Sequence, residues 1–164
     1  MRKISSKRKR GEPESLLFER FKRRIDGFNQ RPLGMDDLYQ ECEKRKIFIG
    51  ENPFRRVHGC SFYDDDGQPC LIVNSLIAEP YRIVAGYHEL AHLLDHAPDP
   101  EAFLSLGSLW NNHKLEFQAQ MIGVVALIPK ELMLHFDFAE LETEYGFPRD
   151  LITLRAHVLR QYAV

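Results

Sequence analysis

The segment YHELAHLLDH, residues 87–96, constrains the fold most strongly, because it places titratable side chains within an otherwise apolar run. In a helix of 3.6 residues per turn, His88 and His92 lie one above the other on the same face, and Glu89 follows the first of them. Burial of ionisable groups is unfavourable unless they are paired or bind a metal. The segment therefore predicts a largely buried helix that carries a polar site on one face.

The spacing of His88, Glu89 and His92 is the HExxH pattern. Two imidazoles one turn apart can bind a single Zn²⁺, while the glutamate points toward a water on the metal. This pattern makes the two histidines candidate metal ligands and the glutamate a candidate catalytic base. A pair of core histidines that are hydrogen-bonded to the backbone is the alternative, and the spacing alone leaves it open.

A zinc enzyme needs a third protein ligand and an open fourth position. His96 lies eight residues after His88, about 12 Å along a straight helix, and no glycine between them turns the chain. We therefore expect His96 to border the helix end and not to bind the metal. Glu116, near the start of the apolar segment KLEFQAQMIGVVALIP, is the better candidate. Its alternative role is that of a solvated glutamate in the first turn of a helix.

Length, composition and charge predict one soluble domain with a basic tail. The 164 residues are 44% hydrophobic, and no apolar run reaches the roughly 18 residues that a membrane span needs. Six of the first ten residues are Lys or Arg, whereas the remaining chain carries 16 basic and 24 acidic side chains. We expect residues 1–13 to be a disordered basic tail and residues 14–164 to be a single domain, without direct binding to nucleic acid. Three cysteines without a CxxC pair favour a reducing, cytoplasmic setting.

The pattern of apolar residues predicts an α+β fold in which helices pack on a small, mostly antiparallel sheet. A strand is predicted over residues 47–49 and a hairpin over residues 57–74, with Asp66 and Gly67 in a type I′ turn. Helical spacing predicts helices over residues 14–28, 35–46, about 80–97, 113–128, 130–135, 138–145 and 149–162.

Two blocks of the sequence, IVNSLIAEPYRIVAGYHELAHLLDH and EFQAQMIGVVALIP, together resemble the ImmA/IrrE family of zinc metallopeptidases. The resemblance covers residues 36–129, and its second block, which ends in proline, makes it more specific than HExxH alone. It implies that His88, His92 and Glu116 bind Zn²⁺ and that Glu89 is the catalytic base. Asn74 matches an asparagine at the end of a strand in this family, and its position suggests no chemical role by itself.

The resemblance also implies a function and a partner. Related proteins cleave a helix-turn-helix repressor encoded nearby, so the expected activity is zinc-dependent cleavage of such a repressor. The alternative is a catalytically silent regulatory protein of the same fold, such as a phage or toxin–antitoxin component. The chain departs from the family pattern at two positions, with Ala91 in place of the usual glycine and Gly123 in place of the usual alanine. We expect both changes to alter packing without inactivating the site.

Two further elements of a peptidase mechanism stay open in the sequence. The strand CLIVN is a candidate for pairing with an extended substrate. Stabilisation of the developing oxyanion needs a hydrogen-bond donor, and several residues have suitable side chains. The candidates are Tyr63, Tyr87, His113, His135 and His157.

Overall fold

The computed structural model describes residues 14–96 and 113–164. The strands are β1 (Phe48–Asn52), β2 (Gly59–Tyr63) and β3 (Pro69–Asn74). The helices are α1 (Glu14–Arg24), α2 (Met35–Lys44), α3 (Glu79–Ala91), which continues into a π-helical turn (His92–His96), α4 (His113–Leu127), α5 (Lys130–His135), α6 (Phe138–Thr143) and α7 (Arg149–Tyr162). The predicted tail over residues 1–13 lies outside the described residues, so its disorder stays a prediction.

The α+β class is confirmed, but the sheet is mixed and not mostly antiparallel. The strand order is β1-β3-β2, with β1 parallel and β2 antiparallel to the central β3. The expected antiparallel character holds for the β2–β3 hairpin only. The first strand lies on the other side of β3, because the connection from β1 to β2, residues 53–58, crosses the end of β3.

Asn74 holds this crossing connection in place. Its side-chain amide donates to the carbonyl oxygens of Phe54 and Val57, at 2.9 and 2.8 Å, and its carbonyl oxygen accepts from the backbone N–H of Leu76. The residue is 3% exposed, so these bonds replace hydration that the amide has lost. The strand-ending asparagine therefore has a structural role that the sequence did not suggest.

The hairpin turn differs from the predicted type I′ turn. Gly67 has φ of 78°, but Asp66 is not among the residues with positive φ. The backbone N–H of Gly67 donates to the carbonyl oxygen of Asp64, and the backbone N–H of Asp64 donates to the carbonyl oxygen of Gln68. These bonds are those of a type I turn followed by a left-handed glycine. The Asp64 carboxylate favours this turn because it accepts from the N–H groups of Asp66 and Gln68.

Helix α4 is the centre of the core. From Met121 to Leu127 its residues are buried on all sides, as expected of a helical segment without a polar face. Helix α3 packs against it, and β3 contributes Leu71 and Val73, both fully buried. No described helix is long and apolar enough to cross a membrane.

Helix α7 closes the core beside the end of α4. The guanidinium of Arg155 is fully buried and donates to the carbonyl oxygens of Ile128 and Val164 and to Oδ1 of Asn29. Burial lowers the pKa of Arg155 to about 10. These bonds fix the position of α7, whose first turn reaches the cleft described below.

Candidate metal centre

The predicted ligands converge at one point between α3 and α4. The Nε2 atoms of His88 and His92 lie 3.1 Å apart. The carboxylate of Glu116 places Oε2 3.2 Å from Nε2 of His88 and Oε1 3.2 Å from Nε2 of His92. Ligand atoms from all three residues lie within 4.8 Å of one another. The glutamate on the second helix therefore meets both histidines, which is the arrangement that the family resemblance implied.

The spacing of these three side chains fits a small divalent cation. Neighbouring ligand atoms of a tetrahedral zinc site with bonds of about 2.0–2.1 Å lie about 3.3–3.4 Å apart. The observed separations of 3.1 and 3.2 Å are within a few tenths of an ångström of that geometry. Two imidazoles and a carboxylate are also a donor set that zinc accepts. The cluster is compatible with a metal ion, and small side-chain shifts would seat it.

Close packing of α3 and α4 brings the ligands together. Val84 and His88 lie one turn apart on α3, whereas Glu116 and Gly123 lie two turns apart on α4. The two helices run antiparallel, so that Gly123 meets Val84 while Glu116 meets the histidines. A Cβ atom at Gly123 would collide with the carbonyl oxygen of Val84. The absence of a side chain at Gly123 therefore allows the close contact between the two helices.

Glu89 faces the strand that lies along the cleft. The hydroxyl of Ser61 on β2 donates to Oε2 of Glu89 at 2.6 Å. Burial, above all, raises the pKa of the Glu89 carboxyl, and the charge of Glu116 adds to the rise. The hydrogen bond from Ser61 and the charge of His88 act in the opposite direction. Glu89 is thus a partly buried carboxylate beside the candidate metal ligands, which is a suitable environment for a general base.

The cluster lies in a cleft made of two cavities that share Gly59, His88 and Glu89. The first cavity, of about 410 Å³, also contains His92 and Glu116. The second, of about 340 Å³, extends toward α7. Strand β2 lines both cavities through its first residue, and it is the edge strand of the sheet on this side.

The prediction that the strand CLIVN pairs with a substrate is wrong. This segment is β3, which pairs with β1 on one side and with β2 on the other, so neither of its edges is free. The sequence located the hairpin correctly but could not assign its edge, because strand order depends on contacts between distant segments.

None of the five candidate oxyanion donors is among the described residues that line the two cavities. Tyr87 is fully buried, and burial raises its pKa strongly. Tyr63 lies at the far end of β2, and His113 is exposed at the start of α4. His135 contacts the carbonyl oxygen of Glu131, and His157 is exposed on α7.

Five polar residues of the cleft were missed in the sequence, which are His58, Ser61, Tyr81, Gln120 and Asp150. His58 lines the cavity that extends toward α7, and Ser61 contacts Glu89. Neither belongs to a recognisable motif, and both reach the cleft only through the sheet order. The side chain of His96, which we expected not to bind the metal, lies outside the described residues.

The fold and the cluster are those of a metallopeptidase-like domain. The model of one peptidase family, described as the IrrE N-terminal-like domain, matches residues 42–157, and the chain belongs to this family. The match confirms the resemblance seen in the two sequence blocks and extends it through most of α7. Among curated proteins, none matches the chain.

Proposed function

We propose that the protein is a zinc-dependent endopeptidase that hydrolyses a peptide bond in a protein partner. The observation that carries the proposal is the convergence of His88, His92 and Glu116 in a cleft that also contains Glu89. A peptidase of this class needs three protein ligands, a base and access for a chain segment, and these four residues and the cleft are the candidates for those roles. Membership of a peptidase family also supports this proposal.

The side chains of the cleft have distinct roles in this proposal. Zinc, when bound, supplies a Lewis acid that polarises the scissile carbonyl and increases the acidity of the attacking water. Glu89 accepts a proton from that water and returns it to the leaving amine. Ser61 holds the Glu89 carboxylate toward β2 through its 2.6 Å hydrogen bond.

We propose the outer edge of β2 as the binding surface for an extended substrate. An edge strand presents N–H and C=O groups that can pair with another chain. β2 pairs with β3 along one edge, and its residues Gly59, Cys60 and Ser61 line the cavity that contains the ligands. A substrate strand beside β2 would therefore pass close to Glu89.

The proposed partner is a helix-turn-helix transcriptional repressor encoded near this gene, and the support for it is the family resemblance. We also propose a cytoplasmic location, where such a repressor acts. Free Cys42, Cys60 and Cys70 are in keeping with a reducing compartment.

The test combines metal analysis with cleavage. Zinc-loaded protein is incubated with the repressor from the neighbouring gene, and fragments are identified by mass spectrometry. Glu89→Gln should keep one zinc per chain and reduce the cleavage rate by a factor of about 10² or more. Glu79→Gln, an exposed glutamate at the start of the same helix, is the matched control and should cleave normally.

Two results would contradict the proposal. Cleavage by Glu89→Gln at the normal rate would remove Glu89 from the mechanism. Zinc binding and repressor binding without any cleavage by the unaltered protein would instead favour the catalytically silent regulatory protein.

A further inference from the structure

The cavity that extends toward α7 differs chemically from the one that contains His92 and Glu116. Its lining includes the apolar side chains of Val84, Ala85 and Leu151 and the ring of Tyr81, together with the carboxylate of Asp150. We propose that this cavity is a subsite for one lysine or arginine side chain of the substrate, and that Asp150 binds its cation. This inference rests on the proposed peptidase function.

Asp150 is exposed at the start of α7, and its carboxylate has acceptor positions that are open to a ligand. Its one hydrogen bond within the described chain is from the hydroxyl of Tyr81 to Oδ1, at 2.8 Å. No cationic side chain of the described residues lies within ion-pair distance of it. A carboxylate offers about four acceptor positions, so Oδ2 and part of Oδ1 remain for a ligand.

The arginines next to Tyr81 and Asp150 in sequence already have acidic partners. Arg149 donates to Glu142 at 2.6 Å and lies over the ring of Phe138. Arg82 donates to Glu51 at 3.2 Å. Neither arginine therefore neutralises Asp150, and its carboxylate is available to a cation from outside the described residues.

The shape and polarity of the cavity suit a long basic side chain. Lys and Arg bury their methylene stems on apolar surfaces and keep their charged ends at polar groups. The apolar residues would contact such a stem, and Asp150 would meet its end. A volume of about 340 Å³ is enough for one side chain but is small for a larger ligand.

Other side-chain classes fit less well. An acidic side chain would meet the like charge of Asp150, which disfavours its binding at that end of the cavity. A large apolar side chain would bury the Asp150 carboxylate without a partner, which is also unfavourable. A cation is the ligand that satisfies the carboxylate, and arginine can do so with two parallel hydrogen bonds.

The contact between Tyr81 and Asp150 also joins α3 to α7. The variants must therefore distinguish substrate binding by Asp150 from a purely structural role. Asp150→Asn keeps the shape of the side chain and a carbonyl oxygen that can accept from Tyr81, but it removes the charge. Asp150→Lys reverses the charge. Asp36→Asn is the matched control, because Asp36 is an exposed acid in the first turn of α2 and does not line the cavity.

The cleavage experiment uses zinc-loaded protein and a peptide library of proteome origin, and all new chain ends are sequenced. The unaltered protein and Asp36→Asn should cleave bonds with Lys or Arg enriched at one fixed position relative to the scissile bond. Asp150→Asn should lose about tenfold or more of this enrichment and still cleave peptides that lack a basic residue. Asp150→Lys should favour Asp or Glu at the same position.

A binding experiment separates failure of the subsite from failure of the peptidase. The zinc-loaded Glu89→Gln protein is titrated with an eight-residue alanine–leucine peptide in which lysine, or its uncharged analogue norleucine, occupies each position in turn. At one position the peptide with lysine should bind about tenfold or more tightly than the peptide with norleucine. The double variant, Glu89→Gln with Asp150→Asn, should bind the two peptides equally. Equal or undetectable binding, or cleavage without basic enrichment, would overturn the subsite and leave the peptidase proposal standing. A lysine preference in binding without any cleavage would instead keep the subsite and contradict the peptidase.

Discussion

The helix pair α3–α4 and the edge strand β2 line the same cleft, but different interactions hold them. The ligand-bearing helices pack through buried apolar residues, with Val84 against Gly123 two turns from Glu116. Among the described residues, β2 pairs with another strand along one edge only, and the connection that leads into it is tied to the sheet by the amide of Asn74. Apolar packing thus fixes the candidate metal ligands, whereas a few polar contacts fix the other side of the cleft. Mutations in the two regions should therefore separate metal binding from cleft geometry.

The largest expected effect is the loss of a histidine ligand. His88→Ala or His92→Ala should reduce the zinc content from about one per chain to nearly none, because two remaining ligands bind weakly. With free zinc at one hundred times the dissociation constant, the unaltered protein gains about 2.7 kcal/mol of unfolding free energy, and the variants should lose that gain. Metal analysis and thermal unfolding with and without zinc measure the two effects. Full zinc occupancy in a protein that carries both changes would contradict the assignment of His88 and His92 as ligands.

A change in the helix contact should affect stability and metal binding together. Gly123→Ala places a methyl group against the Val84 carbonyl, so the helices must separate. We expect a loss of about 1–3 kcal/mol in unfolding free energy and a weaker affinity for zinc. Urea unfolding and competition with a chelator measure both. The control is Gly34→Ala, where the nearest atom to an added Cβ is 3.8 Å away, and it should leave the zinc affinity unchanged.

Loss of the Asn74 contacts on the other side of the cleft should affect stability and not metal binding. Asn74→Asp keeps the shape of the side chain but removes both donors to the connection that precedes β2. The carbonyl oxygens of Phe54 and Val57 then lose their partner, at a cost of about 1–3 kcal/mol of unfolding free energy. Zinc affinity should remain within about twofold of the unaltered value, because no ligand helix is disturbed. A large fall in zinc affinity would show that the two regions are coupled.

The smallest expected effect follows the loss of the contact between Ser61 and Glu89. Ser61→Ala should lower kcat about three- to tenfold, because the Glu89 carboxylate is less well oriented. Zinc content and KM should be unchanged. Ser75→Ala, an exposed serine just beyond β3, is the control and should leave kcat unaltered. An unchanged kcat in the Ser61 variant would mean that this contact does not position the base.

The same contrast explains what the sequence could predict. The positions of His88 and His92 follow from helical spacing, and the run from Met121 to Leu127 identifies a buried helix without any knowledge of its neighbours. The pairing of Glu116 with the histidines needed the family resemblance in addition, because helical spacing does not say which helices meet.

The other side of the cleft could not be predicted in this way. β2 is an edge strand only because β1 lies on the far side of β3, and that order depends on the connection held by Asn74. Ser61 and His58 reach the cleft for the same reason. The predicted turn type was also wrong. Asp66 and Gly67 favour a type I′ turn, but the carboxylate of Asp64 favours a type I turn through its two hydrogen bonds.

The most direct test of the account compares the zinc affinities of Glu116→Gln and His96→Asn with that of the unaltered protein, by competition with a chelator. Glu116→Gln removes a charged ligand while it keeps the size of the side chain, so zinc should bind about tenfold or more weakly. His96→Asn should change the affinity by less than about twofold, because Glu116 meets both histidines without it. The opposite order, with a large loss for His96→Asn and little change for Glu116→Gln, would contradict a metal site between α3 and α4.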